Sequence, residues 1–155
     1  MEIPVVPANY VFAFGSNLDG RHGAGAAKWA RDNRGAIYGQ GIGMQGNSYA
    51  IPTKDRSLKT LPLQQISGFI FDFLFFASVS PKKFFCSRIG CGLAGYKDDQ
   101  IAPLFLSAYS KLRIKPNEMN CVFDPMWLKF NLPILEVCKN DLRRNRSQSN
   151  SVLLY

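Results

Sequence analysis

The stretch best equipped for chemistry is Arg88-Ile89-Gly90-Cys91-Gly92-Leu93-Ala94-Gly95-Tyr96. An apolar run ends there in three glycines within six residues, and an acid-led helix pattern begins at Asp98. Glycine lets the backbone turn several N–H groups the same way, and a helix N-terminus adds the positive end of a dipole, so this spacing suits an anion. An isolated glycine-rich loop can equally be a plain surface turn. Two more glycine-rich stretches, residues 15–25 and 39–46, also close apolar runs, and three such loops point to one shared cleft. Reactive side chains lie near them. Lys54, in Ile51-Pro52-Thr53-Lys54, is either a solvated charge or an amine for covalent chemistry. Cys91, flanked by glycines, is either a buried structural thiol or a thiolate paired with His22, the single histidine.

These groups need elements to carry them. Tyr10-Val11-Phe12-Ala13-Phe14 reads as a buried strand ending at Gly15-Ser16-Asn17. Gly20 to Gly25 leads into a helix from Ala26 to Asn33, with Ala24, Ala27 and Ala30 forming a small face that lets a backbone or a ligand come close. Residues 36–39 are expected to form a short strand. Gly41-Ile42-Gly43-Met44-Gln45-Gly46 matches the dinucleotide fingerprint in letters, but that fingerprint requires a helix after its glycines, whereas Asn47 to Pro52 reads as a return strand. A hairpin is expected instead.

Leu63, Ile66, Ile70, Phe73, Leu74 and Ala77 keep helical spacing from near Pro62 to before Pro81. Phe69, Phe71, Phe75 and Phe76 widen that apolar surface, for a deep core or for an oligomer contact. Phe84 to Ile89 reads as the strand feeding the first loop. A helix follows, capped by Asp98 or Asp99, in which Pro103 is tolerable in the first turn. Asn120 to Phe123 is expected as a last strand. Alternating strands and helices with glycine loops after the strands predict an α/β layered domain with its cleft at the carboxyl ends of the strands.

The composition, 46% hydrophobic and 19% charged over 155 residues, suits one globular domain. No apolar run is long enough for a membrane span, so no membrane role is expected. The start, Met1-Glu2-Ile3-Pro4, lacks the basic and apolar segments of a signal peptide, which leads to a cytoplasmic expectation. Four scattered cysteines and one histidine argue against a disulfide framework and a zinc site. The net charge of +8 is densest at the end of the chain: residues 128–155 hold five Lys or Arg and two acids. The expected division is a domain over 1–127 and a basic, partly disordered extension over 128–155, which is a solvated terminus or a weak nucleic-acid contact.

Taken together, these motifs resemble the macrodomains. Ile89-Gly90-Cys91-Gly92-Leu93 resembles the I-G-C-G-L loop of the branch holding the terminal ADP-ribose glycohydrolases and the DNA-directed ADP-ribosylglycohydrolase antitoxins, and it also looks like a compact bacterial and phage group in that superfamily. Gly20-Arg21-His22-Gly23-Ala24-Gly25-Ala26-Ala27 is similar to the branch's G-A-G loop opening the first helix, and Ile51-Pro52-Thr53-Lys54 to its strand-end P-T-K. The resemblance implies a three-layer α/β/α sandwich with a mixed central sheet that binds ADP-ribose and needs no cofactor or metal. It implies that Gly90, Cys91, Gly92, Leu93, Ala94, Gly95 and Tyr96 hold the diphosphate, with help from the Asp98 helix start. Tyr96 would stack on a ring or pack in the core beside the loop. Gly23, Ala24, Gly25 and Ala26 would approach the distal ribose, and Asn17 would bond its hydroxyls. Lys54 stands where the glycohydrolases have the lysine that attacks the anomeric carbon. Such an amine must lose its proton near neutral pH, which burial and nearby positive charge promote.

Two departures from that pattern are visible. Ala94 replaces the catalytic aspartate of the terminal glycohydrolases, where the DNA-directed branch has glycine. The first nine residues contain no aspartate for the adenine, a place Asp19 or Asp55 could fill. The expected function is therefore binding of ADP-ribose or a related nucleotide, with hydrolysis of ADP-ribose from a modified protein or nucleic acid through Lys54; the alternative is a non-catalytic reader or sponge.

Overall fold

The computed structural model describes residues 5–136. Five strands, β1 (Tyr10–Asn17), β2 (Gly43–Gln45), β3 (Ser48–Lys54), β4 (Lys83–Cys86) and β5 (Cys121–Phe123), form one mixed sheet in the order β2-β3-β1-β4-β5. β3, β1, β4 and β5 run parallel, and β2 returns antiparallel on the outer edge of β3. Helices α1 (Gly25–Asn33), α2 (Leu63–Ser78) and α3 (Asp98–Leu112) complete the fold.

Alternation along β1 makes the three layers. Phe12 and Phe14 point to one face and pack with Ala26, Ala27 and Ala30 of α1. Val11 and Ala13 point to the other, where Ile66, Ile70 and Phe73 of α2 meet Ile101, Phe105 and Ala108 of α3. The α/β/α sandwich follows from this period of two against helices with one apolar face. Alanines on α1 let it lie close to the phenylalanine layer. Each fully buried phenylalanine contributes about 1.5–3 kcal/mol of apolar transfer. α2 has a single buried face; Phe69, Phe71 and Phe76 pack at its margin and Phe75 is exposed.

Several expectations are corrected. Residues 36–39 form no strand: Tyr38 and Gly39 turn, Gly35 and Gly39 have φ of +71° and +97°, and the Ile37 N–H donates to Gln45 Oε1 instead of to a strand. Residues 87–89, expected as the end of the β4 strand, leave the ladder after Cys86. Lys97, rather than Asp98 or Asp99, caps α3, with its N–H donating to Gln100 Oε1 at 2.9 Å. Pro103 lies in the second turn of α3, outside its expected place. The hairpin does form: β2 and β3 pair antiparallel where the fingerprint would need a helix.

Residues after β5 continue to pack. The Leu135 N–H donates to the Phe123 carbonyl at 2.8 Å, and Leu132 and Leu135 are buried, so the first part of the 128–155 extension lies against the sheet. The remainder, including the basic segment expected to be disordered, lies outside the described residues. No helix among those described is long and apolar enough to cross a membrane.

Candidate functional site

A cavity of about 330 Å³ opens at the carboxyl ends of β1, β3 and β4. β1 delivers Gly15, Ser16 and Asn17 to its floor, and β3 delivers Thr53 and Lys54. The two strands change register there: Ser16 pairs with Pro52 but Asn17 pairs with Lys54, which leaves Thr53 as an extra residue. Bulges of this kind commonly redirect side chains beside a site. Thr53 donates its hydroxyl to the Ser16 carbonyl at 3.3 Å, fixing the step. Lys54 is half-buried, and among the described residues its ammonium has no hydrogen bond or ion pair.

One wall is the glycine loop after β4. Gly90 takes φ +73°, and a Cβ there would stand 3.1 Å from Ile101 Cδ1, so both backbone and space call for glycine. The loop closes on itself through Tyr96 N–H to the Gly90 carbonyl at 2.9 Å and Gly95 N–H to the Gly92 carbonyl at 3.0 Å. The N–H groups of Gly90, Gly92, Leu93 and Ala94 have no acceptor among the described residues, and all four residues line the cavity. The opposite wall is the start of α1: Gly23, Ala24, Ala26 and Ala27. Ala24 supplies no side-chain cap, and the first turn of α1 holds no acid. Unbonded N–H groups therefore face the space from two sides, beside three cationic side chains, Arg21, Lys54 and Arg88. No carboxylate lines the cavity among the described residues. Such a surface attracts anions.

The cations are held differently. Arg88, almost fully buried, donates from Nε to Asp98 Oδ1 at 2.7 Å and from Nη2 to Asp98 Oδ2, and Trp127 Nε1 donates to Asp98 Oδ1 at 2.7 Å. Burial alone would raise the Asp98 pKa; the bonds from Arg88 and Trp127 outweigh it and hold the carboxyl below its ordinary range. Burial likewise works against the Arg88 charge, and Asp98 overcomes it, keeping the guanidinium above its ordinary value. Arg21 pairs with Asp19 at 3.0 Å on the surface.

The candidates divide accordingly. Lys54, Asn17, Gly23, Ala24, Ala26, Gly90, Gly92, Leu93 and Ala94 line one cavity. Gly25, Cys91, Gly95 and Tyr96 do not. Gly25 acts from behind, with φ +58° at the entry to α1. Tyr96 packs against the core and donates its hydroxyl to the Leu61 carbonyl at 2.7 Å, so it anchors the loop instead of offering a ring. Asn17 gives its amide to the chain: Nδ2 donates to the Arg21 carbonyl and Oδ1 accepts the Arg21 N–H, both at 2.9 Å. The Asp98 helix start lies behind the glycine loop and turns its carboxylate to Arg88. Neither Asp19 nor Asp55 lines the cavity. Asp19 pairs with Arg21 and Arg56, and Asp55 accepts N–H groups of its own turn.

The thiol reading fails on geometry. His22 is fully buried beside the Phe14 ring and bonds the Gln40 carbonyl at 2.9 Å, away from the cavity. Burial, reinforced by Asp98, pushes the Cys91 thiol up to about 12, the reverse of an activated thiolate. Among the described residues no group of three or more His, Cys, Asp or Glu is placed for a metal ion.

Sequence reasoning passed over Arg21, Tyr38 and Leu58, which also line the cavity. Arg21 was legible as the charged member of the Gly20 to Gly25 loop. Tyr38 and Leu58 had no signal, because only tertiary packing brings their turns to the rim.

No protein-family model matches the chain, and a search of curated proteins finds no match. Among solved structures, a protein of unknown function from Bacteroides thetaiotaomicron aligns with a TM-score of 0.47 and 15% identity, covering 77% of this chain and 89% of that one.

Proposed function

We propose that the cavity binds ADP-ribose or a closely related nucleoside diphosphate sugar, as the macrodomain resemblance of its loops implies. The observation that carries this reading is the pairing of two unbonded backbone surfaces, the Gly90 to Ala94 loop and the first turn of α1, across one cation-lined space. A diphosphate offers acceptors on both sides and a charge that Lys54 and Arg21 complement. Titration calorimetry with ADP-ribose tests it. Saturable binding that weakens with added salt is expected, and the absence of any binding at millimolar ligand overturns it.

A second reading, hydrolysis, is favoured by Lys54 lining the same cavity as the start of α1. In that reaction the uncharged Lys54 amine attacks the anomeric carbon. The C–N bond forms as the bond to the leaving group breaks, and the proton shed by the nitrogen goes to the leaving group. Water then releases the sugar and restores the amine. Among the described residues no carboxylate lines the cavity to assist the leaving group or activate water, which favours the non-catalytic alternative. Incubation with ADP-ribosylated DNA and protein separates the two. Release of ADP-ribose that disappears in Lys54→Ala supports hydrolysis; release unchanged in that variant removes the lysine from the chemistry, and tight binding without release leaves a reader.

A further inference from the structure

The neutral polar side chains of the cavity wall, Tyr38 apart, already give a hydrogen to the protein backbone. Ser16 donates to the Gly41 carbonyl at 2.5 Å and Ser87 to the Ala13 carbonyl at 3.0 Å, while Thr53 and the Asn17 amide hold the backbone as described. What remains is cationic heads, unbonded N–H groups and apolar surface. The apolar surface is concentrated in Tyr38, Leu58 and Leu93, which line the cavity yet stand 59%, 45% and 62% exposed.

Their exposure is built in. Leu58 reaches the rim from a left-handed backbone, φ +63°, a conformation that costs a residue with a Cβ about 1–2 kcal/mol. Its turn is tied to the loop carrying Leu93 by the Thr60 hydroxyl, which donates to the Ala94 carbonyl at 2.8 Å. Tyr38 is held by the neighbouring bond from Gly39 N–H to the Gly20 carbonyl at 2.8 Å, and the Arg31 guanidinium lies 5.7 Å over its ring. A strained leucine and an open aromatic ring, continuous with a cationic interior, match a ligand with a charged middle and a flat apolar end.

We propose that Tyr38, Leu58 and Leu93 hold the nucleobase by its faces, so that the cleft accepts nucleoside diphosphates with little regard to which base they carry. This rests on the diphosphate reading above. Bases are told apart by hydrogen bonds to their edges, and strong rejection arises when a buried polar group is left unpaired; outside the rim this wall's neutral polar side chains have already given a hydrogen to the protein, and its unbonded N–H groups lie on the surfaces that the diphosphate reading assigns to phosphate. Every base has a π-face for Tyr38 to stack on.

Calorimetry on the full chain with ADP, GDP, CDP, UDP and inorganic pyrophosphate tests the assignment. The four nucleotides are expected to bind within roughly fivefold of one another, and each at least tenfold more tightly than pyrophosphate, the range expected of one stacked base. Tyr38→Ala is expected to weaken all four by about tenfold and to leave pyrophosphate binding unchanged, with Tyr38→Phe retaining the nucleotides. Preference for one base beyond about thirtyfold, a size that needs an edge contact, overturns the proposal. So does pyrophosphate binding as tightly as ADP, which removes the rim while keeping the diphosphate site. If neither pyrophosphate nor any nucleotide binds, both readings fall.

Discussion

Two helices follow parallel strands and each starts after a glycine-rich loop, yet their N-termini are opposites. α3 is closed: Gln100 takes the Lys97 N–H, Asp98 and Asp99 occupy the first turn, and Asp98 is clamped by Arg88 and Trp127. α1 is open, with no side-chain cap and no acid, and its first turn faces the cavity. A helix start has unsatisfied N–H groups and positive dipole charge that something must answer. α3 answers with its own carboxylates and so becomes structure. α1 leaves the question open, and that is what makes it available to a ligand.

The comparison breaks most visibly at Asp98. Asp98→Asn removes one partner of a largely buried pair and is expected to cost about 3 kcal/mol in chemical denaturation. A smaller loss, near that of a surface pair, would show that the closed terminus is not structural. The pH dependence follows. Because the folded-state pKa of Asp98 is depressed, its contribution is present above its unfolded value, roughly 4, and is lost as pH falls through the folded value. Stability of the wild-type chain should therefore fall below about pH 4, and this part of the loss should be missing in Asp98→Asn.

Giving α1 what α3 has is the converse test. A Cβ at Gly23 meets nothing within 4 Å, so Gly23→Asp is accommodated and places a carboxylate against the start of α1. ADP-ribose affinity is expected to fall by about a hundredfold while thermal stability holds or rises slightly, since an acid at a helix N-terminus is favourable by about 0.3–1 kcal/mol. Unchanged affinity would show that the open terminus is not used.

Gly90→Ala probes the loop that lies between the two helices. With φ +73° and Ile101 Cδ1 at 3.1 Å, a loss of roughly 1–2 kcal/mol is expected, with weaker binding. The smallest effect belongs to Cys91→Ser. Its thiol lies outside the cavity wall and stays protonated at neutral pH, so iodoacetamide treatment and the substitution should each leave ADP-ribose affinity within about twofold. Inhibition by iodoacetamide that Cys91→Ser abolishes would return the thiol to the site.

Much of this fold could be read from local pattern. Tyr10 to Phe14, the α2 repeat and the run up to Cys86 announce themselves because apolar period is a property of neighbouring residues. Errors gathered where a distant partner decides. Residues 36–39 have strand-like composition, but Gln45 claims the Ile37 N–H. Tyr96 was placed by its proximity to glycines, and the Leu61 carbonyl draws it into the core. Asn17 lines the cavity, but the backbone of Arg21 takes its amide.

The sequence by itself determined that glycine-rich loops follow the apolar strands β1 and β4, that Lys54 ends a third strand, and that the domain is α/β. Those are consequences of side-chain periodicity and of where only glycine can turn. Which helix terminus faces the cavity was decided by tertiary structure alone. Arg88 and Trp127, 39 positions apart in the chain, converge on Asp98 and fix that acid at the start of α3, while among the described residues no side chain caps the start of α1. A dipole's availability depends on what neighbours it in space, and that information resides in the packing.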